Sequence, residues 1–282
     1  MDNFVAFWQH LPSKISPTIF EIGSFQVRWY SLMYIVAFAL TYLLVTHRLR
    51  TEKFPYSKET IQDLMVWGIL GLIVGGRLGY VFFYNFEYFI RHPLEVFLPF
   101  TFANGFKFVG ISGMSYHGGL IGAVVAGAMF CYVRQIRFWD LIDLFIPCAP
   151  LGYTFGRIGN FVNGELWGRA TDVAWGMYFP LDPTRKLRHP SQLYEAFFEG
   201  IVLFVILWGL RKKRPFEGAF LAYYLFGYGA VRFFIEYVRE PDAHLGLYFG
   251  LVTMGQILCL AMMLAGVAFY FILRSRAVPK KA

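Results

Sequence analysis

Apolar stretches of about 20 residues recur along the whole chain, each long enough as a helix to cross a hydrocarbon core of about 30 Å. Of 282 residues, 57% are hydrophobic and 20% aromatic. Only 16% are charged, against about 25% in soluble domains, so a water-solvated globule is excluded. Seven spans can be drawn, at roughly 30–47, 64–84, 114–133, 139–159, 193–210, 218–238 and 247–273. The expected fold is therefore an all-α integral membrane bundle of about seven transmembrane helices. Residues 1–29 precede the bundle, 30–273 form it, and 274–282 make a tail. Asp2, Pro12, Lys14 and Pro17 fall where a cleavable signal needs a basic start and an apolar run, so no signal peptide is expected. Phe4, Phe7, Trp8 and Leu11 have helical spacing and read as an interfacial segment.

Gly71-Gly75-Gly79, the run from Gly122 to Gly127, and Gly152-Gly156 carry small residues at spacings that let helices approach closely. The net charge of +8 comes largely from short loops, which argues for a topology signal and against nucleic-acid binding. Arg48, Arg50, Lys53 and Lys58 follow span 1, and Arg134 and Arg137 follow span 3. Arg211, Lys212, Lys213 and Arg214 follow span 5, and Arg274, Arg276, Lys280 and Lys281 follow span 7. With seven spans all of these share one side, the cytoplasmic side by the usual bias. The N-terminus, loops 85–113 and 160–192, and residues 239–246 then face outward. Cys131, Cys148 and Cys259 lie singly in apolar segments and read as packing residues, with no metal spacing or disulfide framework.

On this map Arg77, His117, Arg157, Arg232 and Tyr30 fall towards the outer face. An intramembrane arginine costs about 2.5–3.5 kcal/mol on insertion scales, so three suggest a common purpose: holding an anion at the depth of phospholipid head groups. Arg157 and Asn160 share a helix face at i,i+3, and Tyr228, Arg232 and Glu236 form a stripe at i,i+4,i+8. Plainer readings stand beside these. Arg77 is also placed to snorkel, Arg232–Glu236 to be a structural ion pair, and His117 to pack at a helix start before Gly118-Gly119. Segment 160–192, with Asn160, Asn163, Glu165, Gly168, Arg169, Arg188, His189, Gln192 and Glu195, is too polar for a span and reads as a small cap. Trp167 and Trp175 are placed to anchor it at the interface.

The run Gly156-Arg157-Ile158-Gly159-Asn160-Phe161-Val162-Asn163-Gly164-Glu165-Leu166-Trp167-Gly168 resembles the signature of the bacterial prolipoprotein diacylglyceryl transferases. His117-Gly118-Gly119-Leu120-Ile121-Gly122 matches too, as do Arg188-His189-Pro190-Ser191-Gln192-Leu193-Tyr194-Glu195 and Tyr228-Gly229-Ala230-Val231-Arg232. The resemblance runs from Trp29-Tyr30 through Arg77 to Met254-Gly255-Gln256; only 170–187 is short for the family. It implies an inner-membrane transferase with a periplasmic cap and N-terminus and a cytoplasmic C-terminus. The diacylglyceryl group of phosphatidylglycerol would pass to a prolipoprotein's lipobox cysteine, forming a thioether and releasing glycerol phosphate. No cofactor and no metal are implied. The family's important positions fall on Tyr30, His117, Arg157, Asn160, Glu165, Gly168, Arg232 and Glu236.

Such a reaction needs a stabilised leaving phosphate and an activated thiol. Arg157 and Arg232 are the expected clamp, with Asn160, Arg77 and Tyr228 lining the lipid site. His117 is the first candidate for the base, Glu236 the second, with Tyr30 orienting one of them. Glu165, Gly168, His189 and Asn163 are expected to support the site. A transporter, channel or flippase for anionic solutes is the competing class, but its charges usually sit near the midplane within repeats, and no repeat is visible here.

Overall fold

The long apolar runs fold as helices whose large side chains point outward, as Phe83 (83% exposed) and Leu264 (70%) illustrate. The computed structural model describes residues 2–277 except 23–24, 53, 99, 102–106, 109–112, 241–247 and 249–251. Lys53, Lys280, Lys281 and most of the predicted outward loop 239–246 lie outside the described residues, as does part of 85–113. The main helices are α1 (Asp2–Gln9), α2 (Trp29–Thr51), α3 (Lys58–Tyr84), α4 (Phe86–Arg91), α5 (Tyr116–Arg134), α6 (Phe138–Phe145) and α7 (Ala149–Val162), followed by α8 (Ser191–Leu210), α9 (Ala219–Ile235) and α10 (Met254–Ala277), besides single turns at Leu11–Lys14 and Pro93–Val96. Among the described residues α2, α3, α5, α8 and α10 are long and apolar enough to span a membrane. This is a mostly helical, multi-pass membrane protein. Two short antiparallel hairpins depart from the all-α expectation: β1 (Thr18–Ile22) with β2 (Phe25–Arg28), and β3 (Phe100–Thr101) with β4 (Lys107–Phe108).

The chain divides into two compact units, residues 55–138 and the remainder. In the first, α3 and α5 pack backbone to backbone. A Cβ on Gly75 would lie 2.6 Å from Gly122 Cα, and one on Gly79 would lie 2.8 Å from Gly118 Cα, so larger residues would part the helices. Ser57 caps α3 by accepting from Thr60 N, and Ser115 caps α5 by accepting from Gly118 N.

In the second unit the single predicted span 139–159 is instead two helices, α6 and α7, broken around Pro147. Proline has no N–H, so the Asp143 carbonyl that residue 147 would bond in an unbroken helix is released. Arg48 takes it: Nη1 donates to Asp143 O (2.7 Å) and Leu144 O (2.6 Å). The rest of that guanidinium grips Glu52 through both carboxylate oxygens, at 2.9 and 2.6 Å. Arg48 is thus fully buried, which corrects its reading as a loop charge. Arg214 is likewise tied to Asp140 and Asp143, and Asp143 accepts from Gly218 N (2.7 Å) and Phe220 N (3.0 Å), capping α9 from a distance. Gly218 has φ +83°, where a side chain would be strained. Arg48→Met is expected to destabilise the protein by about 2–5 kcal/mol, since two carbonyls and Glu52 lose their donor. A thermal midpoint in detergent equal to wild type would show that these groups find other partners.

Residues between α7 and α8 form a small folded unit around Phe161, Met177 and Phe179. Trp167, partly buried, packs against this cluster and stacks on Phe179. Trp8 and Leu11 pack there as well, and Trp8 Nε1 donates to Trp175 O at 3.0 Å. The N-terminal segment therefore docks on this unit through part of its apolar face, while Phe4 and Phe7 stay exposed.

Candidate functional site

Thr154 on α7 shapes the helix opposite. Its hydroxyl donates to Ala196 O (3.2 Å), and Gly200 leaves it room. Here α8 widens into a π-helix over Ala196–Val202, a local form common at functional sites. Glu195 and Glu199, both fully buried, project from this region towards α7 and α9.

Three arginines meet these acids. Arg157 Nε lies 2.8 Å from Glu195 Oε2 and donates to the Tyr153 hydroxyl at 2.7 Å. Arg232 Nη1 lies 3.1 Å from Glu195 Oε2 and 3.5 Å from Glu199 Oε1, and its Nη2 lies 3.2 Å from Glu236 Oε2. Arg239 Nη1 reaches Glu195 Oε1 at 3.3 Å. Tyr153 donates to Glu199 and meets the Tyr228 ring edge-on at 5.9 Å. Arg157, Arg232 and Arg239 therefore balance Glu195, Glu199 and Glu236, and the cluster is neutral when all are ionised. Its hydrogen bonding is incomplete among the described residues: Arg232 Nη1, Glu199 Oε1 and Glu236 Oε2 are buried without a hydrogen-bond partner. A partly satisfied buried network of this kind is costly to keep unless it serves a ligand.

The signature loop orients one edge. Glu165 Oε1 accepts from Asn160 Nδ2 (2.9 Å) and Asn163 Nδ2 (3.2 Å), which turns Asn160 Oδ1 towards Arg157 Nη1 at 3.4 Å. Gln192 Nε2 donates to Glu165 O (2.6 Å), fixing the loop to α8. Gly168 passes so close to its neighbours that a Cβ would lie 2.9 Å from His189 Cβ. Tyr30 packs its ring on Gly159 and shares a hydrogen bond with the Tyr34 hydroxyl at 3.0 Å. Glu236 ends α9 and accepts from Thr253 Oγ1 at 3.3 Å.

His189 stands at the edge of this loop. Trp175 Nε1 donates to the Tyr194 hydroxyl (2.8 Å), which shares a hydrogen bond with His189 Nδ1 (3.2 Å). Burial lowers the His189 pKa, which favours the neutral ring. Asp182 and Arg188 pair at 2.8 Å. Burial pushes the Asp182 carboxyl up, but hydrogen bonds from Arg188 and Thr184 outweigh it and hold the pKa at about 2, so the pair persists at neutral pH.

The structure thus gathers Arg157, Asn160, Tyr228, Arg232 and Glu236, with Tyr30 against α7 and Glu165, Asn163, Gly168 and His189 around the loop. His117 and Arg77 belong to the other unit. His117 is exposed in the first turn of α5. Arg77 is buried, with Nε on Val96 O (2.6 Å), Nη2 on Glu95 O (2.8 Å) and Nη1 on Gly113 O (3.3 Å). These contacts brace the loop; binding a phosphate would require giving some of them up. Sequence reasoning missed Tyr153, Glu199 and Arg239 as members of the cluster. Glu195 and Glu199 at i,i+4 within an apolar span were the available signal.

A model of the prolipoprotein diacylglyceryl transferase family matches residues 17–272. The chain is 53% identical over 278 residues to the phosphatidylglycerol–prolipoprotein diacylglyceryl transferase of Chlorobaculum tepidum, covering 98% of this chain and 96% of that protein. Against the proteins of the same name from Pseudoalteromonas translucida and Idiomarina loihiensis, identity is 44% and 47%. Those matches cover 95% and 93% of this chain, and 96% and 93% of the relatives. The chain belongs to the prolipoprotein diacylglyceryl transferase family.

Proposed function

We propose that this protein transfers the diacylglyceryl group of phosphatidylglycerol to the lipobox cysteine thiol of a prolipoprotein. The substrate sulfur attacks the glycerol carbon, a C–S bond forms, the C–O bond breaks, and its electron pair leaves on glycerol phosphate. The observation that carries this reading is the cluster of three arginines and three glutamates with open hydrogen-bonding positions. The departing group changes from a singly charged diester to a monoester with growing charge. Arg157 and Arg232, in a low-dielectric site, are suited to receive it. Asn160 bonds the lipid head group, and Tyr228 lines the site. Tyr30 packs behind Gly159. The attacking sulfur belongs to the substrate, and no covalent enzyme intermediate is needed. Mixing purified protein with phosphatidylglycerol and a lipobox peptide tests the reading. A peptide mass gain of one diacylglyceryl group is expected; an unmodified peptide beside a folded enzyme would refute it.

The protein lies in the bacterial inner membrane with the α6–α7 pair as one crossing and α9 as another, giving seven. At 17 residues α9 is about 26 Å long, enough for most of a hydrocarbon core. The N-terminus and the 160–192 cap are periplasmic, and the C-terminus is cytoplasmic. Lys212, Lys213, Arg134 and Arg274 support this orientation through the usual cytoplasmic excess of basic residues. Single cysteines in a cysteine-free background, probed with an impermeant thiol reagent on spheroplasts, are expected to label at 175 but not at 212. The reverse pattern would overturn the orientation.

His117 is the proposed base, with Glu236 as the second candidate. A free thiol of pKa about 8.5 is only a few per cent ionised at pH 7, and general-base help is worth about 10²–10⁴-fold. His117→Gln is therefore expected to lower the rate most at neutral pH, with the defect shrinking above about pH 8.5. A pH–rate profile under saturating lipid decides it. A defect of constant size would move the role to Glu236.

A further inference from the structure

Arg157 and Arg232 are held in different ways. Arg157 is gripped along one edge, by the Tyr153 hydroxyl (2.7 Å) and Glu195 (2.8 Å), both at Nε. Among the described residues no hydrogen bond reaches its Nη2, and the side chain is 18% exposed. Arg232 instead sits among three carboxylates, with a buried Nη1 that makes no hydrogen bond.

Tyr153 lies four residues before Arg157 on α7, so the two side chains share one helix face. The guanidinium stacks over the phenol ring, 4.8 Å from its centroid. The single phenol proton goes to Glu199, leaving the oxygen's lone pairs for Arg157 Nε. Glu199 is fully buried on the π-helical stretch and cannot swing to water. A chain of three groups on two helices thus ends at one edge of a planar cation. Fixing Nε and the ring stack fixes the plane, and with it the direction of both Nη groups.

The geometry points to Tyr153, anchored by Glu199, as a positioning residue that pins Arg157 by its Nε edge and so presents Nη2 to the phosphate of the lipid substrate. This rests on the diacylglyceryl-transfer reading. Because charge on the phosphate grows as the C–O bond breaks, a pre-aimed donor acts on kcat more than on KM. A tyrosine that only filled a polar gap would change stability and leave that split untouched.

The test is a double-mutant cycle with Tyr153→Phe, Arg157→Lys and the pair, in phosphatidylglycerol mixed micelles. Tyr153→Phe is expected to lower kcat about 10-fold with KM for the lipid changed by less than about threefold. On the Arg157→Lys background it is expected to have less than about a twofold further effect, because lysine has no Nε edge to pin. Equal factors in both backgrounds, or a change confined to KM, would overturn the proposal. Should Tyr153→Phe fail to accumulate, Tyr153→Met, which also lacks the hydroxyl and keeps the cluster's charge balance, carries the same cycle, with non-additivity again expected and additivity again fatal. Wild-type protein that transfers no diacylglyceryl group would sink the parent reading. Active wild type with an additive cycle would sink only the positioning role.

Discussion

Arg157→Lys is expected to lower diacylglyceryl transfer by about 10²–10³-fold although the charge is retained. The guanidinium uses two edges at once. Its Nε edge is spent on Tyr153 and Glu195, and its Nη1 donates to Asn160 Oδ1. A lysine ammonium is a single point with rotating donors and cannot hold both directions together. The loss should appear mainly in kcat, since the phosphate's charge grows in the transition state. Initial rates on protein of matched abundance are the measurement. Near-normal turnover would reduce Arg157 to a cation that merely satisfies Glu195.

Glu195→Gln is expected to have the largest effect on stability, about 3–5 kcal/mol, the usual consequence of removing one partner from a buried ion network. Glu195 is fully buried and touches Arg157, Arg232 and Arg239 at 2.8, 3.1 and 3.3 Å. Its neutralisation leaves three arginines against two carboxylates, a net positive charge with little water to solvate it. The thermal midpoint should fall by on the order of 10 °C. A phosphodiester brings one negative charge to such a site. Phosphatidylglycerol micelles should therefore restore part of the loss, and zwitterionic phosphatidylcholine micelles much less. An unchanged midpoint, or a lipid response identical to wild type, would contradict the charge balance drawn around Glu195.

The long spans were legible because each is a near-continuous apolar run bounded by charge, and Arg157 with Asn160 was legible because they share one helix. The α6–α7 break was written in Pro147 and Pro150, yet the hydropathy of the run hid it. What the sequence could not display was the fate of the carbonyl that proline releases, which is settled by Arg48 from a helix about a hundred residues earlier. Arg157 and Arg232 were legible as positive charge within apolar runs, but two of the three counter-charges, Glu195 and Glu199, sit on α8 and come within reach by tertiary packing. The glycine rows on α3 and α5 were readable from spacing, because close backbone approach leaves little alternative to glycine.

The fate of one oxygen atom tests the account most directly. Phosphatidylglycerol carrying ¹⁸O at the bridge between the diacylglyceryl carbon and phosphorus is supplied with a lipobox peptide, and the products are weighed. Attack by the thiol on carbon sends that oxygen away on glycerol phosphate, one labelled molecule for each thioether formed. Label retained on a diacylglycerol, or glycerol phosphate released without a matching thioether, would contradict transfer at the arginine cluster as described.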